Sequence, residues 1–377
     1  MAKKTKALRL KRAWFVHAPF LLLLLTASVA VFPGVAAAVD SKDLNFQSAQ
    51  QIGGPLLGIL YEPSSHKFRE LVGVPGASFQ GDLLDPGFPI LQSWISPGHE
   101  FALAENTNRQ MMVIRFNPVP ELLSLPGDSQ IHPARLSFSR DGNSAVAYDA
   151  QSQLLIVWRG INAGTAGYWE QQLDWVQGSV TSLAVTEDGG KVLLANETGN
   201  AATLYLLTEN GAPQAHQTAG AISAISFFPG GTKALFADRT ANELWFAQSL
   251  TAAFNWVPLS ALRGKVSDPV GVDVTQDGRK IVAANAGTGT VLIYDLLDSQ
   301  VETIQCSQKP ETLTRLIGPD IFLLNAAGES PIWLLKVEPG SSTTFFVPAS
   351  HSTQGRALYD SRGNRSGSSR NRERRDQ

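Results

Sequence analysis

The sequence predicts an all-β fold, a seven-bladed β-propeller of four-stranded antiparallel blades, and three observations carry that reading. First, a turn-forming tripeptide recurs seven times, and seven residues after its last member stands one carboxylate or amide side chain. The copies run from Gly53-Gly54-Pro55 to Glu62, Ser96-Pro97-Gly98 to Glu105, Arg140-Asp141-Gly142 to Asp149, and Glu187-Asp188-Gly189 to Asn196. They continue from Pro229-Gly230-Gly231 to Asp238, Gln276-Asp277-Gly278 to Asn285, and Leu316-Ile317-Gly318 to Asn325. Second, the tripeptide ends are spaced by 43, 44, 47, 42, 47 and 40 residues, a period that marks an array of one supersecondary unit. Third, the runs between turns are short and apolar, with no window of helical periodicity.

Each unit is read in the same order. A strand precedes the turn, as in Ala134–Phe138, Thr181–Val185 and Ile222–Phe227. The turn follows, and Asp-Gly between two apolar runs is a hairpin signal because glycine supplies the positive φ that a tight antiparallel connection needs. The next run is continuously apolar, as in Lys191–Ala195 or Lys280–Ala284, which suits a strand covered on both faces. Beyond a few polar residues comes another strand (Gln110–Phe116, Leu154–Arg159, Val291–Tyr294), then a weaker one such as Val301–Ile304 or Thr344–Val347. Such units close into a ring because closure leaves only short outer edges unpaired.

The ends of the chain are set apart from this body. Residues 1–38 have a basic start (Lys3, Lys4, Lys6, Arg9, Lys11, Arg12), an apolar stretch from Phe20 to Phe32 and the small-residue site Ala36-Ala37-Ala38. This is the tripartite plan of an export signal. The expectation is a mature chain from Val39 in the periplasm or outside the cell; the alternative is an uncleaved anchor over Ala13–Ala38. Cys306 is the only cysteine, so no internal disulfide supports the fold. Residues 352–377 carry seven arginines among Ser, Gly and Asn and read as a disordered tail, or as a contact to an anionic surface.

Charge excludes one class of partner. Residues 39–351 hold 18 basic and 30 acidic side chains, a formal charge of −12, whereas nucleic-acid binding needs Lys and Arg to neutralise phosphates. A monomer that binds a protein or carbohydrate is expected, with no cofactor. No His pair has metal-ligand spacing and no nucleophile motif occurs. Trp169, Trp175, Trp245, Trp256 and Trp333 offer either a flat apolar platform or packing between blades.

Two sets of residues are candidates for a site. The ring Glu62, Glu105, Asp149, Asn196, Asp238, Asn285 and Asn325 stands at the strand ends, where such side chains either cap the following turn or face a ligand. Along the strands before the turns, positions facing the axis are mostly small (Ser93, Ser137, Ser182, Ala184, Ala224, Ser226, Gly271). Arg135, Asp273 and Glu311 break that pattern. A charge facing inward is costly unless paired or wet, so these three are read as a structural ion pair, a channel wall, or a ligand-orienting cluster at the channel mouth.

The stretch Ile281–Asp295, reading IVAANAGTGTVLIYD and entered by Thr275-Gln276-Asp277-Gly278, resembles the repeat of the YVTN-type propellers, and Leu193–Asn196 matches it more weakly. The resemblance implies a seven-bladed propeller. Its family includes exported binding proteins and, among its relatives, lactone hydrolases. The expected function is therefore an exported non-catalytic binding or scaffold propeller with its partner on the loop rim. The alternative is a lactonase-like hydrolase in which Arg135 stabilises an oxyanion and Asp273 or Glu311 is the base.

Overall fold

The computed structural model describes residues 54–116, 121–127, 131–164, 167–199, 201–218, 220–250, 255–326 and 330–349. The expected export signal and the arginine-rich tail lie outside the described residues.

Blade 1 consists of β1 (Leu56–Glu62), β2 (Lys67–Val74) and β3 (Ala77–Leu84). Blade 2 consists of β4 (Ile90–Ile95), β5 (Phe101–Asn106), β6 (Met111–Arg115) and β7 (Glu121–Ser124). Blade 3 has β8 (Pro133–Phe138), β9 (Ser144–Asp149), β10 (Leu154–Arg159) and β11 (Gly167–Gln172), and blade 4 has β12 (Ser179–Val185), β13 (Lys191–Thr198), β14 (Ala201–Thr208) and β15 (Gln214–Thr218). Blade 5 has β16 (Ile222–Phe227), β17 (Ala234–Asp238), β18 (Glu243–Ala247) and β19 (Trp256–Pro258), followed by a single 3-10 turn at Ser260–Leu262. Blade 6 has β20 (Pro269–Val274), β21 (Lys280–Asn285), β22 (Thr290–Asp295) and β23 (Val301–Gln305). Blade 7 has β24 (Thr314–Arg315), β25 (Ile321–Leu323), β26 (Ile332–Lys336) and β27 (Thr343–Val347). No helix among the described residues is long and apolar enough to cross a membrane.

Seven apolar clusters, one in each space between neighbouring blades, hold the ring together. The closing cluster joins Leu316, Leu323 and Val347 of blade 7 to Leu57, Leu60 and Leu71 of blade 1. A sheet packed on both faces has no polar face to show, so the second strands β9, β17 and β21 are buried along nearly their whole length. Trp169 and Trp256 belong to these clusters and Trp245 and Trp333 pack against them. Trp175 remains 38% exposed against Tyr205.

The hairpin turns share chemistry beyond the glycine. Ser139, Thr186 and Thr275 each donate a hydroxyl hydrogen bond to Asp141, Asp188 and Asp277, at 2.7, 2.6 and 2.6 Å. The same carboxylates accept the backbone N–H of Asn143, Gly190 and Arg279. Gly142, Gly189 and Gly278 then close the turn at φ of 71°, 63° and 71°.

Two features depart from the expected pattern. Blade 1 has three strands among the described residues, and β1 corresponds to the second strand of every other blade: like β9 and β17, it packs on the first strand of the blade that follows. Blade 2 is shifted by one residue, because Ile90 pairs with Asn106 as Pro133 pairs with Asp149 and Pro269 with Asn285. His99, at φ 56°, takes the place glycine holds elsewhere. The strand-end cap of blade 2 is therefore Asn106, whose Oδ1 accepts the N–H groups of Asn108 and Gln110, rather than Glu105.

Candidate ligand site in the axial channel

The strand-end ring is buried and hydrogen-bonded, Asn196 Oδ1 alone having no partner among the described residues. Asp149 accepts the backbone N–H of His132, Gln151 and Ser152, and Asp238 accepts those of Thr240 and Ala241. Burial pushes the Asp149 carboxyl up, but these N–H groups outweigh it and hold the group below the usual range. Asn196 donates to Gln177 O, Asn285 accepts from Ser267 N, and Asn325 both donates to Pro331 O and accepts from Trp333 N. Glu62 bonds Ser65 and Arg69, and Glu105 bonds Gln92 and His132. These side chains are 8% exposed or less and act as caps and ties for the loops they border.

The three out-of-pattern charges are split between the two ends of the channel. Arg135 pairs in register with Tyr148, next to Asp149, and Glu311 bonds the N–H of Ala326, next to Asn325, so both sit at the strand-end ring. Both are exposed, and among the described residues Arg135 donates to the carbonyls of Ala134 and Thr181. Asp273 is opposite Val282, near the hairpin turn at the other end. Its partners are two arginines that the pattern did not single out.

Arg315 Nη2 meets Asp273 Oδ2 at 2.9 Å and Arg140 Nη1 lies 3.5 Å from Oδ1. Both guanidinium groups also donate to the Val274 carbonyl, at 2.7 Å from Arg140 and 2.6 Å from Arg315. Asp273 Oδ1 accepts in addition the Val274 N–H at 2.7 Å and the Ser226 hydroxyl at 3.2 Å. Arg315 reaches Asp320 at 3.2 Å and lies over the Phe322 ring at 4.7 Å. Arg140 stands in the turn of blade 3, Asp273 in blade 6 and Arg315 in blade 7, so the Arg140 contact crosses the axis and floors the channel. Burial, then the nearby Arg315, lowers the Arg140 guanidinium from its ordinary value, though not enough to uncharge an arginine.

Above this floor lies a cavity of ≈ 560 Å³. Its walls are the first strands of blades 2 to 6 and the segment Thr312–Arg315, with Asn325 towards the ring end. Blades 1 and 7 differ: Ile59, Leu60 and Tyr61 of β1 and Leu323 of β25 face the cavity directly, because blade 1 has no described first strand and β24 is only two residues long. His99 seals the turn end of that gap: its Nδ1 accepts the Ile59 N–H at 3.0 Å and its Nε2–H donates to Arg315 O at 3.1 Å. Nδ1 also lies 3.0 Å from the Ile59 carbonyl, and burial lowers the His99 pKa against the pull of these backbone bonds.

No group of three or more His, Cys, Asp or Glu among the described residues is placed to hold a metal ion. The sequence reading named Arg140 only as a turn residue and did not single out Arg315; the one available signal was that Arg140 is a cation where the matching turns carry Glu187, Pro229 and Gln276.

No family model matches the chain, and no curated protein matches it. A provisional 6-phosphogluconolactonase from Bacteroides uniformis superposes with a TM-score of 0.50 at 13% identity, over 77% of this chain and 94% of that one. The Cps50 (Swd1) β-propeller domain of Myceliophteria thermophila gives a TM-score of 0.46 at 8% identity, over 71% and 93%. At such identity the first of these likenesses is one of fold alone, and with seven sheets around seven inter-blade cores it makes the chain a seven-bladed β-propeller.

Proposed function

We propose that the protein is an exported binding propeller without hydrolytic activity, which holds its ligand in the axial cavity. Export is supported by the three-part leader in residues 1–38, and the destination is the periplasm or the cell exterior. The binding reading is carried by one observation: a cavity of ≈ 560 Å³, within the size range of small-molecule sites, is lined among the described residues by a single carboxylate, and that carboxylate is fully engaged. Asp273 has two guanidinium groups, one hydroxyl and one N–H on its two oxygens. A general base needs a free lone pair directed at the proton it removes. Asp273 is instead the pin that positions the arginines.

The competing lactonase-like reading makes the opposite demand on the same residue. The test is hydrolysis of a panel of γ- and δ-lactones by the exported protein and by Asp273→Asn. No rate above the uncatalysed background is expected from either. Turnover by the native protein that Asp273→Asn abolishes would overturn the proposal.

A further inference from the structure

We infer that Gly355, Arg356, Ala357 and Leu358 of the C-terminal segment form the first strand of blade 1, seated on the inner edge of β1 at the strand-end mouth of the channel. The inference goes beyond the binding reading and does not rest on it. Among the described residues β1 is the terminal strand of its three-stranded sheet. In blades 3, 4 and 6 the residue before the strand-end side chain, Tyr148, Ala195 or Ala284, has a partner on a first strand, Arg135, Ser182 or Gly271. Tyr61 holds the same place before Glu62, and no described strand lies on that side of it. Backbone N–H and C=O groups on such an edge call for a partner. Nearer the turn end the edge is taken, by His99 at Ile59 N–H and by Ile317 at Leu57 O, so the strand that fits is a short one.

The occupant is the chain that follows β27 rather than the chain ahead of β1. Gly73 N–H donates to Pro55 O at 2.8 Å, so the chain enters β1 alongside β2. The bond that closes the hairpin elsewhere is also used up: Ser144 O, Lys191 O and Lys280 O accept from Ser139, Thr186 and Thr275 of their own first strands or turns, whereas the equivalent Leu57 O accepts from Ile317. The chain leaving β27 is already fastened to blade 1, because Val347 lies in the closing cluster with Leu57 and Leu60, and Gln80 Nε2 of β3 donates to Pro348 O at 3.3 Å. From Val347 to Ala357 is ten residues, the same step as from Gln172 at the end of β11 to Ser182 on the next first strand. Ala357-Leu358 repeats the small-then-apolar pair of Ser182-Leu183, Ala224-Ile225 and Gly271-Val272. In those blades the apolar member shares an inter-blade cluster with the residue it faces, Leu194, Phe236 or Ala283. Leu358 opposite Leu60 enters the closing cluster in the same way. Gly363-Asn364, a turn-forming pair, lets the arginines beyond it leave by the same mouth, and the floor of Arg140, Arg315 and Asp273 stays open at the other end.

The experiment is trypsin mapping of the exported protein with its C-terminal segment intact, read by mass spectrometry. Backbone paired in a sheet resists cleavage, so the bond after Arg356 should be cut about tenfold more slowly than those after Arg370, Arg372 and Arg374. Leu358→Asp should bring the Arg356 rate level with the others, and Ser368→Asp should leave it slow. Cleavage after Arg356 as fast as after Arg370 in the unaltered protein would overturn the inference. A second measurement separates the two ends of the chain. In a Cys306→Ser background, Leu60→Cys with Leu358→Cys should oxidise to an intramolecular disulfide. Leu60→Cys with Ala49→Cys should not, Ala49 being the residue that a hairpin at Gly53-Gly54-Pro55 would bring opposite Leu60. A bridge to Ala49→Cys, or none to Leu358→Cys, would overturn the inference, and the trypsin map decides it even if Leu60→Cys fails to fold.

Discussion

His99 accepts a hydrogen bond from the Ile59 backbone N–H at 3.0 Å, so a side chain from the first turn of blade 2 occupies the edge of blade 1 that a first strand covers in the other blades. A second tie, from Ile317 N–H to Leu57 O at 2.8 Å, comes from blade 7. Between them these contacts pair backbone groups on an edge of β1 that no described strand covers. The fit is close: a Cβ on Gly58 would come within 3.1 Å of both His99 Cε1 and Leu316 Cδ2.

Acid should therefore weaken the ring at its closure. Burial places the His99 pKa below its ordinary 6.5. The unfolded chain then takes up a proton on acidification before the folded one does, so this contribution to stability is complete above pH 6.5 and is lost as pH falls below it. His216, also lowered by burial, acts in the same direction. Melting temperature followed from pH 8 to 5 should fall more steeply for the native protein than for His99→Gln; parallel curves would refute the assignment. His99→Ala should cost about 2–4 kcal/mol at neutral pH, since it leaves both the Ile59 N–H and the Arg315 carbonyl without partners.

Asp273 should matter to stability before it matters to anything else. With Asp273→Ala, Arg140 and Arg315 lose the carboxylate between them, and a loss of about 2 kcal/mol is expected, below the range for a fully buried pair because the residues are 13–18% exposed. Urea denaturation measures it, and a change within about 0.5 kcal/mol would mean the network is not a structural floor.

The strand-end caps predict stability without binding. Asp149→Ala removes the acceptor for three backbone N–H groups and should destabilise by about 2–3 kcal/mol, while leaving ligand affinity in the axial cavity unchanged. Loss of affinity at unaltered stability would restore Asp149 to a binding role.

The turns predict a paired effect. At Gly278 an added Cβ would lie 3.4 Å from the nearest atom, Pro229 Cδ, an ordinary contact, so Gly278→Ala should cost only the backbone strain of φ 71°, about 1–2 kcal/mol. Thr275→Val should cost about 1 kcal/mol through the hydroxyl bond to Asp277. The Thr275 hydroxyl, then the Arg279 N–H, hold the Asp277 carboxyl below its usual range. That contribution is present above the unfolded value of 3.8 and is lost as pH falls through the folded one. The double variant should show less than the sum, because both changes act on one turn.

Much of this was legible from spacing. Asp149, Asn196, Asp238 and Asn285 stand where the repeat placed them, because strand register and turn geometry are local and repeat with the chain. Blade 2 misled the count for an equally local reason: a glycine, Gly98, sits one residue before the position of positive φ, which His99 fills. Arg140 and Arg315 were beyond reach of any period, since they are 175 residues apart and meet only when the ring closes.

The order of turns and apolar runs alone determined an all-β ring of seven units, since strands greasy on both faces can be satisfied only by neighbours of their own kind. Closure of that ring decided the rest: which charges share the axis, that Asp273 is held by Arg140 and Arg315 rather than by Arg135, and that β1 faces the cavity directly. Those are facts of distance across a circle, and a linear pattern carries no measure of that distance.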